Sequence, residues 1–226
     1  MYVVFCGMSL AGKQQYQDLS VEYMMQEKQV SLNNMLIISD PKSTDLGRAI
    51  VPLDRQKQHF NDTVSGMLYI AASCNVYDNL ISKALILNQH VFCKGCFAEV
   101  LGYQGNILGD QGISWEMLKT TYSKMLETTH SSEKIKYPEI IFFCISSFEQ
   151  TQARAMCYNS TSWEAGLNRE EYEKYSSKIK ESYKVIIKDI EFIKNTRVLL
   201  IDETNTTIYK VWNSQVKPEI DNLISK

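Results

Sequence analysis

Near its amino terminus the chain reads GMSLAGKQQ, and Gly7, Gly12 and Lys13 have the spacing Gly-x-x-x-x-Gly-Lys. This pattern suits phosphate binding. The glycines let the backbone wrap an anion, N–H groups at a helix start point at its oxygens, and the lysine neutralises the terminal phosphates. A Ser or Thr normally follows the lysine, because its hydroxyl binds Mg2+ or a water on the metal. Gln14 stands there instead. Its amide oxygen sits on a longer and more mobile arm, so the loop is expected to hold a phosphate better than it places a metal ion.

A second stretch with chemical potential is CKGC, with Cys93 and Cys96 two residues apart. A redox pair or half of a zinc site would have this spacing, but zinc needs four ligands. No second Cys pair or His pair follows at the usual spacing, so no metal ligand set is assigned. The alternative is that Cys93 and Cys96, with Cys6, Cys74 and Cys144, pack as small buried thiols.

These residues need elements to position them. Five short, nearly continuous apolar runs read as strands buried on both faces: YVVFC (2–6), MLIIS (35–39), HVFC (90–93), IIFFCI (140–145) and RVLLI (197–201). Helical spacing lies between them at 13–28, 62–87, 115–127 and 169–194, and a last helix holds Ile208, Val211, Trp212, Ile220 and Leu223. Pro218 predicts a kink or a restart in that helix. Tyr172, Tyr175 and Tyr183 form a stripe on helix 169–194. Core packing is its first reading and partner binding its second. Alternating strand and helix implies parallel strands with crossover helices. The phosphate-loop motif falls directly after the first strand and opens the first helix, where its geometry requires it.

Bulk properties narrow the classes. The chain has 226 residues, 44% hydrophobic and 22% charged, which suits one large α/β domain over 1–226. With 24 basic and 26 acidic residues the net charge is −2, too little to hold nucleic acid or an anionic membrane through field strength. No apolar run approaches the roughly 20 residues of a membrane span. The opening MYVVFCG reads as a strand rather than a leader, so a cytoplasmic protein with reduced thiols is expected.

Longer stretches carry a resemblance. DPKSTDLGRAI (40–50) is similar to the Glu-Pro-Gly-Gly-Thr-Pro-Leu-Gly motif of thymidylate kinases, with Asp40, Pro41, Thr44, Leu46 and Gly47 in register. MLYIAASC (67–74) resembles their Leu-Leu-Leu-Phe-Ala-Ala-Asp-Arg. VFCKGCFAEVLGYQG (91–105) resembles the Asp-Arg-Tyr segment that ends in Tyr-Gln-Gly, and PEIIFFCISSFEQTQARA (138–155) the strand and helix leading to the lid. The similarity runs in order from about residue 2 to 201. It implies a P-loop kinase fold: a five-stranded parallel sheet in the order 2-3-1-4-5, helices on both faces and a lid at about 156–168. It also implies ATP and Mg2+ as cofactors, dTMP as phosphoryl acceptor, and, by analogy, a homodimer or larger assembly.

The resemblance assigns Gly7, Gly12, Lys13 and Gln14 to the phosphate loop. Catalytic positions fall on Lys13, Asp40, Lys94 and Arg154, and nucleoside positions on Tyr69, Tyr103, Gln104 and Gly105. The departures are concentrated in groups that carry charge or metal. The base-stacking Phe falls on Ile70, beside Tyr69. A nucleotide-binding Arg becomes Cys74. The Asp-Arg pair becomes Lys94 and Gly95, and residues 155–168 contain no Lys or Arg. Phosphoryl transfer relies on positioning and charge neutralisation, so losses of this kind bear on activity directly. The resulting expectation is a thymidylate-kinase-like protein, catalytically impaired or inactive, with a nucleotide-binding, structural or regulatory role. The alternative is an active, divergent nucleoside monophosphate kinase for dTMP or a related nucleotide.

Overall fold

The computed structural model describes residues 1–55, 62–100, 115–129, 135–160, 162–188, 196–204 and 206–225. The five apolar runs form β1 (Tyr2–Gly7), β2 (Met35–Ser39), β3 (His90–Lys94), β4 (Ile140–Ile145) and β5 (Arg197–Asp202). They pair in parallel in the order β2-β3-β1-β4-β5, the order expected. Phe5 stands level with Lys94 on one side and Phe142 on the other, while Ser39 also stands level with Lys94. The carboxyl ends of β1, β2 and β3 therefore open onto one rim.

Strand residues alternate between faces, and both faces are covered over the central strands β3, β1 and β4. The edge strands β2 and β5 depart from the expected two-sided burial, with Ile37 and Leu200 exposed, because each has a neighbouring strand on one side alone. Phe142 stacks on Phe5, which stacks in turn on Tyr16 of α1 (Lys13–Gln26). Phe143 points the other way and stacks at 4.0 Å on Tyr183 of a later helix, Arg169–Lys188. The tyrosine stripe is thus core: Tyr172, Tyr175 and Tyr183 are all buried. Gln17 is a polar exception on α1, 2% exposed. Its amide donates to the carbonyls of Ile38 and Phe92, both at 2.8 Å, and so clamps α1 across β2 and β3.

The remaining helices follow in chain order. They are α2 (Asp45–Arg55), α3 (Asp62–Val76), α4 (Ser82–Ile86), α5 (Phe97–Val100), α6 (Trp115–Thr129), α7 (Phe148–Cys157), α8 (Arg169–Lys188), α9 (Ile208–Val211) and α10 (Lys217–Ile224). The expected 62–87 helix is α3 and α4 joined by one wide π-type turn, Tyr77–Ile81. The last helix restarts at Lys217 with Pro218 in its first turn, after a second wide turn, Trp212–Val216. Proline has no N–H to return to the preceding turn, so its carbonyls are reached in another register. It docks on α1 through Trp212 against Tyr23, whose hydroxyl donates to Asp221 at 2.6 Å. The periodicity reading lacks α2, a short segment carrying Pro52. No helix among the described residues is long and apolar enough to cross a membrane.

Phe142 lies fully buried in the central stack. Phe142→Ala is expected to cost about 3–5 kcal/mol, seen as a lower urea midpoint with unchanged slope.

Candidate functional site

The site begins where β1 ends. Gly7 has φ +128°, and a Cβ there would sit 2.1 Å from the Cys144 carbonyl oxygen of β4. Gly12 has φ +78° at the start of α1, and its Cβ would lie 2.6 Å from Glu203 Oε1. Both positions demand glycine, for conformation and for space. The loop between them delivers Lys13 and Gln14 into the first turn of α1, at the rim of the sheet.

Lys13 Nζ donates to the Gly7 carbonyl at 2.7 Å and forms an ion pair with Glu99 Oε1. Glu99 lies on α5, which Phe97 anchors by stacking at 4.3 Å on Tyr122 of α6. Burial by itself would lower the Lys13 pKa; the Glu99 carboxylate more than offsets this, and the net shift is upward. Arg154 on α7 has a similar arrangement. Its guanidinium donates to the Leu10 carbonyl at 2.8 Å and pairs with Glu203 Oε2. The Glu203 side chain has no exposed surface and follows β5. Gln150, itself in the capping box of α7, donates to the Glu203 carbonyl at 2.6 Å. The other carboxylate oxygen of Glu203 is buried without a hydrogen-bond partner, as is the Tyr16 hydroxyl. Burial, then the nearby Glu203 carboxylate, hold the Tyr16 phenol well above its ordinary range.

Asp40 follows β2, and its carboxylate accepts from Ser73 Oγ of α3 at 3.0 Å. Burial pushes its carboxyl up to about 7; the Ser73 hydrogen bond works against that shift and Glu99 adds to it. Lys94 ends β3 and donates through Nζ to Gln14 Oε1. Burial, then the ammonium groups of Lys13 and Lys42, lower its pKa. The Gln14 amide nitrogen donates to Asp18 at 2.8 Å. The structure therefore gathers Gly7, Gly12, Lys13, Gln14, Asp40, Lys94 and Arg154 around one rim.

The fold has solved counterparts. Thymidylate kinase from Ehrlichia chaffeensis superposes with a TM-score of 0.67 at 17% identity, over 97% of each chain. Thymidylate kinase from Candida albicans superposes with a TM-score of 0.61 at 16% identity, over 98% of this chain and 91% of that one. No family model and no curated protein matches the sequence.

The chain has a thymidylate kinase fold.

Within this thymidylate kinase fold several expected positions behave differently. Ile70 is fully buried core, so it is closed to stacking on a base, while Tyr69 is half-buried beside it. Tyr103, Gln104 and Gly105 lie outside the described residues. In the stretch 156–168, where the resemblance implies a lid, Glu164 is 1% exposed and accepts a hydrogen bond from the Tyr175 hydroxyl of α8 at 3.4 Å. Gln152 of α7 donates to the Ala165 carbonyl at 3.0 Å. The five rim cysteines are buried free thiols. Burial raises Cys6, Cys93 and Cys144, and pushes Cys74 up to about 12, which disfavours the reactive thiolate. Among the described residues no group of three or more His, Cys, Asp or Glu side chains could hold a metal ion.

Glu99 and Glu203, which pair with Lys13 and Arg154, are the candidate-site residues that sequence reasoning missed. Glu99 lies within the 91–105 stretch but at no position to which the resemblance gives a role, and Glu203 lies beyond the resembling stretches. The available signal was a carboxylate a few residues past Lys94 and Gly95, and another immediately past the last strand.

Two measurements probe these charges. Between about pH 4 and 7 the folded protein keeps an Asp40 proton that the unfolded chain has released. Stability should therefore fall as pH rises through this window, by at most about 1.4 kcal/mol per unit, and Asp40→Asn should flatten the decline in denaturation series across pH. Arg154→Leu should cost about 3–5 kcal/mol by stranding Glu203, and a second change, Glu203→Gln, should recover more than half of the loss.

Proposed function

We propose that this chain is a nucleotide-binding protein on a thymidylate kinase fold, with phosphoryl transfer impaired or lost and a binding, structural or regulatory role in its place. The observation that carries the reading is the internal pairing of Lys13 with Glu99 and of Arg154 with Glu203. Transfer of a phosphoryl group needs cations that can follow charge as it moves to the leaving oxygen. Here the loop lysine and the α7 arginine each face a carboxylate from the same chain. An arginine acting on the transferring group supplies about 10³–10⁵ in rate, and loss of one donor of a transition-state clamp costs about 10²–10³. The missing Asp-Arg pair and the absence of cations at 155–168 remove further parts of the same clamp.

A divalent metal fits this donor set poorly. Gln14 Oε1, the atom nearest the usual hydroxyl ligand in role, accepts from an ammonium, and Lys94 stands at the carboxylate position. The expected ligands are dTMP and ATP. A cytoplasmic location, one domain over 1–226 and a homodimer or larger assembly accompany this reading as proposals.

One observation favours the second reading, an active divergent nucleoside monophosphate kinase. The Asp40 carboxyl, held near neutrality on the same rim, is suited to accepting a proton at working pH. A coupled assay on dTMP and ATP, paired with calorimetric titration of each nucleotide, decides between the two. Binding with turnover at least about 10³ below the ordinary kinase range of roughly 1–100 per second is the expected result. In the same titrations Glu99→Gln should tighten nucleotide binding about tenfold by releasing Lys13. Turnover at an ordinary kinase rate that disappears in Lys13→Ala would establish the second reading instead.

A further inference from the structure

Resting on the nucleotide-binding reading, we infer that the Lys94 ammonium takes the place of the divalent cation at this phosphate loop, so that the site binds the polyphosphate tail of a nucleoside di- or triphosphate without metal. Lys94 ends β3 in register with Phe5 and Ser39, one strand over from the loop that follows β1. Its Nζ meets Gln14 Oε1, the side chain in the position of the metal-binding hydroxyl. The other end of the Gln14 amide is held by Asp18 at 2.8 Å and by Gln17 Oε1 at 3.3 Å. Both changes therefore act on one point. The position that supplies a neutral oxygen to a metal has been lengthened by Gln14, and the position that supplies a carboxylate has become a cation that fills the gap.

The surrounding charges agree. Lys13 and Lys42 also contribute to the field at Lys94, and together they lower its pKa after burial has done so. Asp18 and Glu99 act in the opposite sense there. A hard divalent ion brought to this point would meet an ammonium where it needs oxygen ligands in near-octahedral array. A phosphate oxygen meets instead a compact point charge with three donors, a role in which lysine performs well. One ammonium supplies half the charge of Mg2+ and no fixed geometry. That is enough to hold a polyphosphate and too little to order an in-line transfer.

The test is calorimetric titration of the full chain with ATP, once in excess EDTA and once in excess Mg2+. The dissociation constant in EDTA is expected to be no more than about threefold weaker than in Mg2+. Lys94→Met should weaken ATP in both buffers by about tenfold, while Lys94→Arg, which keeps the charge, should retain metal-free binding within a few-fold. Lys94→Asp should lose binding in EDTA and regain it with Mg2+. Thermal melts of each variant separate loss of the site from loss of the fold. ATP binding to the unsubstituted chain that requires Mg2+ by more than about tenfold overturns the inference and leaves the nucleotide reading standing. Failure of ATP and dTMP to bind in either buffer overturns the nucleotide reading and this inference with it.

Discussion

A charge carried into the low-dielectric rim of a parallel sheet must be matched by an opposite charge within a few ångströms. The alternative costs several kcal/mol per ion. Arg154 and Glu203 meet that demand with 15% and no side-chain exposure, and Lys13 and Glu99 meet it with 15% and 20%. The four groups come from α7, the segment after β5, the start of α1, and α5. Their pairing ties the carboxyl ends of the strands into one assembly. It also constrains the loop between Gly7 and Gly12: a Cβ at Gly12 would lie 2.6 Å from a Glu203 oxygen, and its φ of +78° strains any other residue there.

On the proposed reading the same pairing limits chemistry. A phosphate loop works in catalysis when its cations are committed to the ligand more strongly than to the protein, and most strongly in the transition state. Glu99 and Glu203 compete for those cations at all times. Lys94 tightens the constraint by engaging Gln14, the side chain that would otherwise offer oxygen to a metal. Asp40 points the other way. Its environment, built by burial and answered by Ser73, keeps a proton-accepting group near neutrality on the rim. The strand–loop–helix corner of the fold is present, and the charges around it are paired within the chain.

Much of the frame was legible. The five strands appear at the runs where continuous apolar sequence places them, within a residue or so at each end. The expected burial on both faces holds for β1, β3 and β4; β2 and β5 lie at the sheet edges, where Ile37 and Leu200 are exposed. The phosphate loop was legible because glycine is required on both sides of it for reasons local to the backbone. Helix α2 was not, since it is short and carries Pro52. The wide turn after α3 was not either, because one extra residue in a turn hardly disturbs apolar spacing. Glu99 and Glu203 escaped for a different reason. Their partners lie 86 and 49 residues away, and a single carboxylate near a strand end looks like any surface acid.

The sequence by itself determined the alternation of strand and helix, the strand–loop–helix corner at Gly7–Lys13, and the residue types at the positions that the resemblance picks out: an amide at Gln14, a cation at Lys94 and no Lys or Arg at 155–168. These are matters of residue type and short-range spacing, which the chain carries in linear order. Only the tertiary structure decided which charges face one another. Opposite charges act through distance in space, and the rim brings together residues from both ends of the chain. Lys13 and Arg154 read in sequence as cations available for phosphate; in the fold each is met by a buried or half-buried carboxylate, and Lys94 is directed onto Gln14.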